Sequence, residues 1–470
     1  MPLCVDLDGT LVRSDLLIES LFALLRRNPL YLFRMLWWLR GGKARFKAEI
    51  ARRVAPDATL LPYDGPFLDY LRAQHRSGRR LVLVTASDRR HARMVADRLG
   101  LFEQVMASDG SVNLSGPRKA RRLVDAFGEG GFDYAANAAV DLEIWRHARR
   151  ALLVNPAPGV AERARRLATV ERTFDRRPRG LAPWLRAMRP HQWAKNLLLF
   201  VPLLMAHRLT EPGLLLQVVI AFAAFSLCAS SVYLLNDLFD LEADRRHPRK
   251  RRRPFAAGDL PIQGGMLLAP ALLLAALLLS LLLPWRFTGV LAIYYLFTLA
   301  YSLRLKQSPL VDVIVLAGLY TLRIIAGAEA VALESSFWLL AFSMFMFFSL
   351  AQVKRYSELR DLDDDGREAV EAARGYRPVD LEGLAQSGVV SGYLSVLVLA
   401  LYINSPRVEG LYHHPKLIWL LCPLMLYWIG RVWMLARRGE MHDDPLLFAL
   451  TDRRSWAVAA LILLFLWAAM

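Results

Sequence analysis

The sequence predicts a doubly wound α/β domain with a helical cap, followed by an all-α polytopic membrane domain of about nine transmembrane helices. Three observations carry this. Up to about residue 175, short apolar runs alternate with amphipathic stretches, the pattern of a parallel sheet covered by helices on both faces. Beyond about residue 195, apolar residues gather into runs long enough to cross a bilayer, each needing roughly 20 residues. Hydrophobic residues make up 55% of the 470, and their concentration in the second stretch assigns the two parts of the chain to different solvents.

Taken in order, LCVDL (3–7), RLVLVTAS (80–87), FDYAAN (132–137) and RALLVN (150–155) read as buried parallel strands. Between the first two lies an insertion of about 50 residues, a helical cap near 16–65. It includes NPLYLFRMLWWLRGG (28–42), whose aromatic and aliphatic face either packs on the domain or lies on a membrane surface; packing as a cap is the favoured expectation. The α/β domain is expected over 1–175, an Arg- and Pro-rich linker over 176–190, and the membrane domain over 191–470. Candidate spans fall near 196–211, 214–235, 265–284, 287–303, 309–331, 335–353, 386–404, 415–436 and 455–470. The loops after the second, fourth, sixth and eighth hold RRHPRKRRR, RLK, KRYSELR and ARRGE, whereas the opposite loops carry only isolated bases. This is the asymmetry that orients a membrane protein with those loops in the cytoplasm. MPLCVDLDGT lacks the basic and apolar tract of a secretory signal, so the first domain is expected on the cytoplasmic side of the inner membrane.

The formal charge of +17 does not point to nucleic acid, because most of the excess sits beside apolar runs, where Lys and Arg meet anionic lipid, and no module of interleaved basic and aromatic residues occurs. Cys4, Cys228 and Cys422 are far apart and read as small core residues. His413 and His414 read as interfacial. Nothing in the sequence sets an oligomeric state.

The junction NDLFDLEADRRHPRKRRRP (236–254) carries the chemistry. Asp237, Asp240 and Asp244 fall at i, i+3 and i+7, one face of a continuing helix, where like charges repel unless a hard cation neutralises them. Mg²⁺ typically binds through one or two carboxylates, water and substrate phosphates. Lys250 and Arg253 stand ready for outer phosphate oxygens. The plainer reading is a solvated, charge-mixed loop that only fixes topology. With Asn236 the pattern is NDxxDxxxD, which resembles the first aspartate-rich motif of the UbiA superfamily of intramembrane prenyltransferases. That resemblance implies Mg²⁺ and a diphosphate held at these aspartates, in a cavity open towards lipid.

RPHQWAKN (189–196), HPRKRRRP (247–254) and KRYSELR (354–360) together resemble the polyprenyl-phosphate phosphoribosyltransferase branch. The implied reaction moves 5-phosphoribose from phosphoribosyl diphosphate to a polyprenyl phosphate, with Lys354 and Arg355 on the 5-phosphate, Glu358 beside them, and Lys195 on another phosphate. The lipid phosphate is already anionic, so no general base is required. RDLDDDGRE (360–368) stays open: it is part of the phosphoribosyl site, or, as its resemblance through Asp361 and Asp364 to the second aspartate-rich motif of prenyltransferases that alkylate aromatic rings implies, a site of aromatic prenylation, or a hydrated loop. Aromatic prenylation from a polyprenyl diphosphate is therefore the alternative function.

DLDGT (6–10) places two carboxylates just past the end of the first strand, where open α/β sheets bind ligands. It resembles the first motif of the haloacid dehalogenase phosphatases, and the likeness continues through Thr85, Lys119 and Asp141. The resemblance implies Asp6 as nucleophile, Asp8 as acid and base, Thr85 and Lys119 on phosphate oxygens, and Mg²⁺ at Asp6, Asp8 and Asp141. Where the fourth motif usually has Gly and an acid, Ala136 and Asn137 stand here; Asn137 still offers a carbonyl oxygen but one charge fewer. An active phosphatase is expected, with a silent scaffold as the alternative. Together the halves suggest one sequence of reactions, in which the phosphatase removes the 5-phosphate that the transferase leaves on the lipid.

Overall fold

Leu3–Val5 (β1) sends Leu3 and Val5 into one core and Cys4 into another, because side chains alternate across a strand. In the computed structural model, which describes residues 1–175, 178, 180–360, 375–405, 412–441 and 444–469, this strand is central to a six-stranded parallel sheet. The elements that follow are α1 (Leu16–Arg27), α2 (Tyr31–Arg40), α3 (Gly42–Ala51), α4 (Gly65–Arg76), β2 (Leu81–Asp88), α5 (Arg89–Leu99), β3 (Gln104–Ser108), α6 (Pro117–Phe127), β4 (Asp133–Ala136), β5 (Arg150–Val154) and β6 (Thr169–Phe174). The strand order β3-β2-β1-β4-β5-β6 reverses direction between β1 and β4, which opens a crevice at their carboxyl ends. Two strands exceed the sequence expectation. QVMAS and TVERTF are the edge strands, and TVERTF is exposed along most of its length, so neither needs the continuous apolar run that marks a central parallel strand.

The cap is helical, as expected. Asp15 accepts from Ile18 N at 3.1 Å to start α1, and Arg26 and Arg27 close its last turn, where positive charge suits the helix dipole. Leu24, Met35, Trp38, Ile50 and Val54 form a small core among α1, α2 and α3.

By contacts the chain divides into two units, Met1–Met188 with Tyr233–Ala269, and Arg189–Val232 with Pro270–Met470. The junction 233–269 thus packs with the α/β domain. Arg245 donates to both oxygens of Glu19 in α1, at 2.8 and 2.6 Å, with both side chains buried. Arg13 pairs with Asp259 at 2.7 Å, and Phe22 meets Phe239 edge-on at 5.2 Å. Gly258 has φ +73°, and a Cβ there would lie 2.7 Å from the Arg13 Cβ, so this approach requires glycine. Removing one partner of a buried ion pair strands the other charge. Glu19→Ala is expected to cost about 3–5 kcal/mol, seen as a lower thermal midpoint of the full chain, whereas the double change Glu19→Leu with Arg245→Met costs much less.

Seven helices are long and apolar enough to cross a membrane: Pro212–Phe239, Ile262–Ser280, Trp285–Leu303, Val311–Ala330, Phe337–Arg360, Pro378–Ile403 and Lys416–Arg438. They match seven of the nine expected spans; the count of nine is not reached among the described residues. The expected first span is a 3₁₀ run, Pro190–Phe200, followed by the short helix Val201–Met205; Pro202 has no N–H to donate back into the preceding run. The expected last span corresponds to the 17-residue helix Arg453–Ala469, at the lower end of the length that crosses a bilayer.

Candidate active sites

At the carboxyl end of β1, Asp6 is fixed by Lys119 Nζ on Oδ1 at 2.7 Å and by the Thr10 hydroxyl on Oδ2 at 3.2 Å. The same hydroxyl lies 3.3 Å from Asn137 Oδ1, so the Asp6 carboxylate and the Asn137 carbonyl oxygen are both within its reach. Lys119 also donates to the Tyr134 hydroxyl at 3.0 Å and lies 3.9 Å from Asp141, whose oxygens accept from Tyr134 Oη and Ala138 N, each at 3.0 Å. Asp8 accepts from Leu16 N at 2.9 Å, at the start of α1, and from the Ser87 hydroxyl at 2.5 Å. Thr85 is buried in the second half of β2, where its Oγ1 accepts from Ser87 N at 3.0 Å. Asp6, Asp8, Thr85, Lys119, Asn137 and Asp141, widely separated in sequence, thus line one crevice.

Its electrostatics suit acid chemistry. Burial, with the Asp15 carboxylate beside it, pushes the Asp8 carboxyl up to about 7 against the pull of Ser87 and Leu16 N, so near neutrality it retains a proton to give. Burial and the nearby Asp6 push Asp141 up to about 6. Burial works to lower the Lys119 ammonium, but Asp6 and Asp141 outweigh it and hold the group charged. Hard oxygen donors from Asp6, Asn137 and Asp141 suit Mg²⁺. Sequence reasoning missed Lys47 of α3, which enters from the cap to donate to Ala86 O at 2.6 Å and Asn113 Oδ1 at 2.9 Å. Burial lowers its ammonium, partly offset by Asp8 and Asp15.

At the end of helix Pro212–Phe239 the acidic junction does not continue as one helix. The chain turns at Asp240 and restarts as Leu241–Arg246, with Asp244 N donating to Asp240 O at 2.8 Å. Asp237 and Asp244 are nonetheless brought together: Arg253 Nη1 lies 3.2 Å from Asp237 Oδ1 and 2.7 Å from Asp244 Oδ2. Asp240 diverges to Arg26 of α1 at 3.0 Å. Burial raises the Asp244 carboxyl, while Arg253, and more weakly Lys250, pull it down. Among the described residues no three His, Cys, Asp or Glu side chains converge at metal-ligand spacing. Two carboxylates converging on one cation, with the buried Asn236 Oδ1 making no hydrogen bond among the described residues, are still a donor set that fits Mg²⁺, which takes its other ligands from water and phosphate.

In the second unit, Lys195 Nζ and Lys354 Nζ meet on a single oxygen, Asp444 Oδ2, at 2.7 and 3.1 Å, with the Tyr320 hydroxyl 3.4 Å away. Burial alone would raise the Asp444 carboxyl; the two ammonium groups overturn this and hold it far below the carboxylate range. The expected pairing of Lys354 with Arg355 is not what the structure places together. Arg355 is buried against Asp312 and Glu358 and donates to Tyr301 Oη at 2.8 Å, and Tyr376 Oη donates to Asp312 at 2.5 Å. Successive residues on a helix point about 100° apart, which separates the two roles. Asp444 was missed; the Asp-Pro pair opening a short helix, where its side chain accepts from Leu446 N, was its one signal. Asp361 and Asp364 lie outside the described residues.

The UbiA prenyltransferase family profile matches residues 197–456, and that of the haloacid dehalogenase-like hydrolases matches residues 3–151. A protein of Sinorhizobium fredii, y4nM, is 38% identical over 98% of this chain and 90% of its own length. Nodulation protein NoeC of Azorhizobium caulinodans is 37% identical over 57% of this chain and 87% of its own, and decaprenyl-phosphate phosphoribosyltransferase of Corynebacterium glutamicum is 34% identical over 46% and 68%. Asp237, Asp244, Arg253, Lys354 and Asp444 lie within the first match and the crevice residues Asp6 to Asp141 within the second, and the chain belongs to the UbiA prenyltransferase family, as a multi-pass membrane enzyme with an N-terminal haloacid dehalogenase-like domain.

Proposed function

We propose that the chain transfers 5-phosphoribose from phosphoribosyl diphosphate to a polyprenyl phosphate, with Mg²⁺, and that its N-terminal domain then removes the 5-phosphate from the lipid product, both at the cytoplasmic face of the inner membrane. The observation that carries the transfer is the meeting of Lys195 and Lys354 on one carboxylate oxygen, a point built to hold an anion. Similarity to a decaprenyl-phosphate phosphoribosyltransferase supports phosphoribose as the group moved.

In this reading Asp237 and Asp244, with Asn236, hold the metal, and Lys250 and Arg253 take outer oxygens of the diphosphate. Bound Mg²⁺ would neutralise the charge that grows on the departing diphosphate. Lys195 and Lys354 hold a substrate phosphate so that the anomeric carbon faces the lipid phosphate oxygen. The anomeric C–O bond to diphosphate breaks as the bond to that oxygen forms, and no proton need move. Arg355, Glu358 and Asp312 lock the helix that presents Lys354. In the phosphatase, Asp6 attacks phosphorus while Asp8 protonates the departing sugar oxygen; Asp8 then takes a proton from the water that frees phosphate from Asp6. Thr85 and Lys119 hold the phosphate oxygens.

The test is direct. Purified protein with Mg²⁺, labelled phosphoribosyl diphosphate and a polyprenyl phosphate should give a labelled lipid; prenylation of an aromatic acid in place of that lipid overturns the assignment. A second expectation concerns Asn137. Asn137→Asp restores one charge to the metal site and is expected to lower the Mg²⁺ concentration for half-maximal phosphatase activity by about tenfold, the equivalent of about 1.4 kcal/mol of binding. A titration showing no shift removes Asn137 from the site.

A further inference from the structure

α2 of the cap has two faces of unlike use. Met35 and Trp38 are buried in the cap core, yet Phe33 is 69% exposed, Leu36 61% and Trp37 59%, joined by Leu32 and Leu39. Phe33, Leu36 and Trp37 fall at i, i+3 and i+4, so they form one continuous apolar ridge. Contiguous exposed apolar surface of this kind marks an interaction site. Its surroundings say with what. From residue 20 to residue 48 there are seven Lys and Arg and no Asp or Glu. Arg34, Arg40, Lys43 and Arg45 are exposed beside the ridge, and Arg45 stacks on Trp37 at 5.2 Å. An aromatic and aliphatic face whose charged neighbours along α2 and into α3 as far as residue 48 are all cations is the composition of a helix that lies in the headgroup layer of an anionic bilayer. The same chain carries seven helices able to cross a membrane, so a lipid surface is at high effective concentration for this face.

We propose that α2 is a membrane-docking helix, seated with Phe33, Leu36 and Trp37 in the interface of an anionic bilayer. α3 follows directly after Gly41, and its Lys47 reaches into the phosphatase crevice, so docking fixes one wall of that crevice at the lipid surface. This consequence for catalysis rests on the proposed lipid-linked phosphomonoester substrate; the docking does not.

Phe33→Cys, Leu36→Cys and Trp37→Cys, each carrying a nitroxide label, are placed in the full chain, whose own three cysteines are buried. Ala73→Cys, on the exposed side of α4, serves as the solvent reference. The proteins are reconstituted in phosphatidylcholine vesicles containing phosphatidylglycerol, without substrate. Contact with a water-soluble nickel chelate is expected to fall at least roughly tenfold below the reference, and contact with oxygen to rise, as for sites about 5–10 Å into the headgroup boundary. A second arm combines Leu36→Glu and Trp37→Glu and reads the label at residue 33, which should become accessible to nickel. Labels as accessible as Ala73→Cys, spin coupling between copies, or a label at residue 33 that stays protected in the double variant each overturn the docking. A chain whose α2 is docked but which yields no labelled lipid instead counts against the proposed activity and leaves the docking intact.

Discussion

Asp6→Asn is expected to stop phosphomonoester hydrolysis while leaving sugar transfer to the lipid untouched, so that the phosphorylated lipid accumulates. The change is nearly isosteric, and Asn Oδ1 still accepts from Lys119, so the crevice keeps its shape. What is lost, in the proposed reaction, is the carboxylate that forms the covalent phosphate. An amide oxygen is a poor nucleophile, and Lys119 loses the charge that offsets its burial. Loss of a covalent nucleophile elsewhere costs up to about 10⁶-fold, so a fall of more than roughly 10⁴-fold is expected here. Asp8→Asn removes the proposed acid and base and should cost at least about 10²–10⁴-fold. Radiolabelled lipid resolved by chromatography reads both steps at once. If the lipid of the Asp6→Asn chain is dephosphorylated as fast as before, the crevice is a scaffold and the second half of the proposed reaction sequence belongs to another protein.

The convergence of Asp6, Lys119 and Asp141 in the haloacid dehalogenase-like domain was legible because parallel α/β folds gather ligand-binding groups at strand ends, so short motifs far apart in sequence converge by topology alone. Lys47 was not legible: it comes from the cap, where a lysine among six other bases has no distinguishing pattern, and only the packing of α3 sends it inward. The edge strands were missed because exposed strands lack an apolar run. The acidic junction shows the opposite failure. The i, i+3, i+7 spacing assumed an unbroken helix, but the chain turns at Asp240. Asp237 and Asp244 meet all the same, through Arg253, and Asp240 goes to Arg26, a partner more than 200 residues away that no local spacing reveals. Hydrophobic length located seven spans; the two further expected segments are a 3₁₀ run with a five-residue helix and a 17-residue helix, so nine is not reached among the described residues. The lysine pair needed tertiary structure, since residues 195, 354 and 444 share no motif.

The convergence of Asp237 and Asp244 on Arg253 yields a test that separates a metal site from a structural ion pair. If the two carboxylates serve only Arg253, then Asp237→Asn weakens a salt bridge and little else. If they hold Mg²⁺ against a departing diphosphate, the same change removes charge where charge develops, and sugar transfer should fall by about 10²–10³-fold with phosphatase activity unchanged. Arg253→Gln adds a readout that does not depend on activity. It leaves two carboxylates facing one another in a buried site, so the chain should unfold at a lower temperature without divalent cation. Mg²⁺ binds the folded form only, and at about 100 times its dissociation constant it returns roughly 2.7 kcal/mol, so the thermal midpoint should recover as Mg²⁺ is added. Combining Arg253→Gln with Asp237→Asn should abolish that recovery. A midpoint indifferent to Mg²⁺ in the single variant would mean that arginine is the only cation these aspartates hold, and the transfer reaction would need its metal elsewhere.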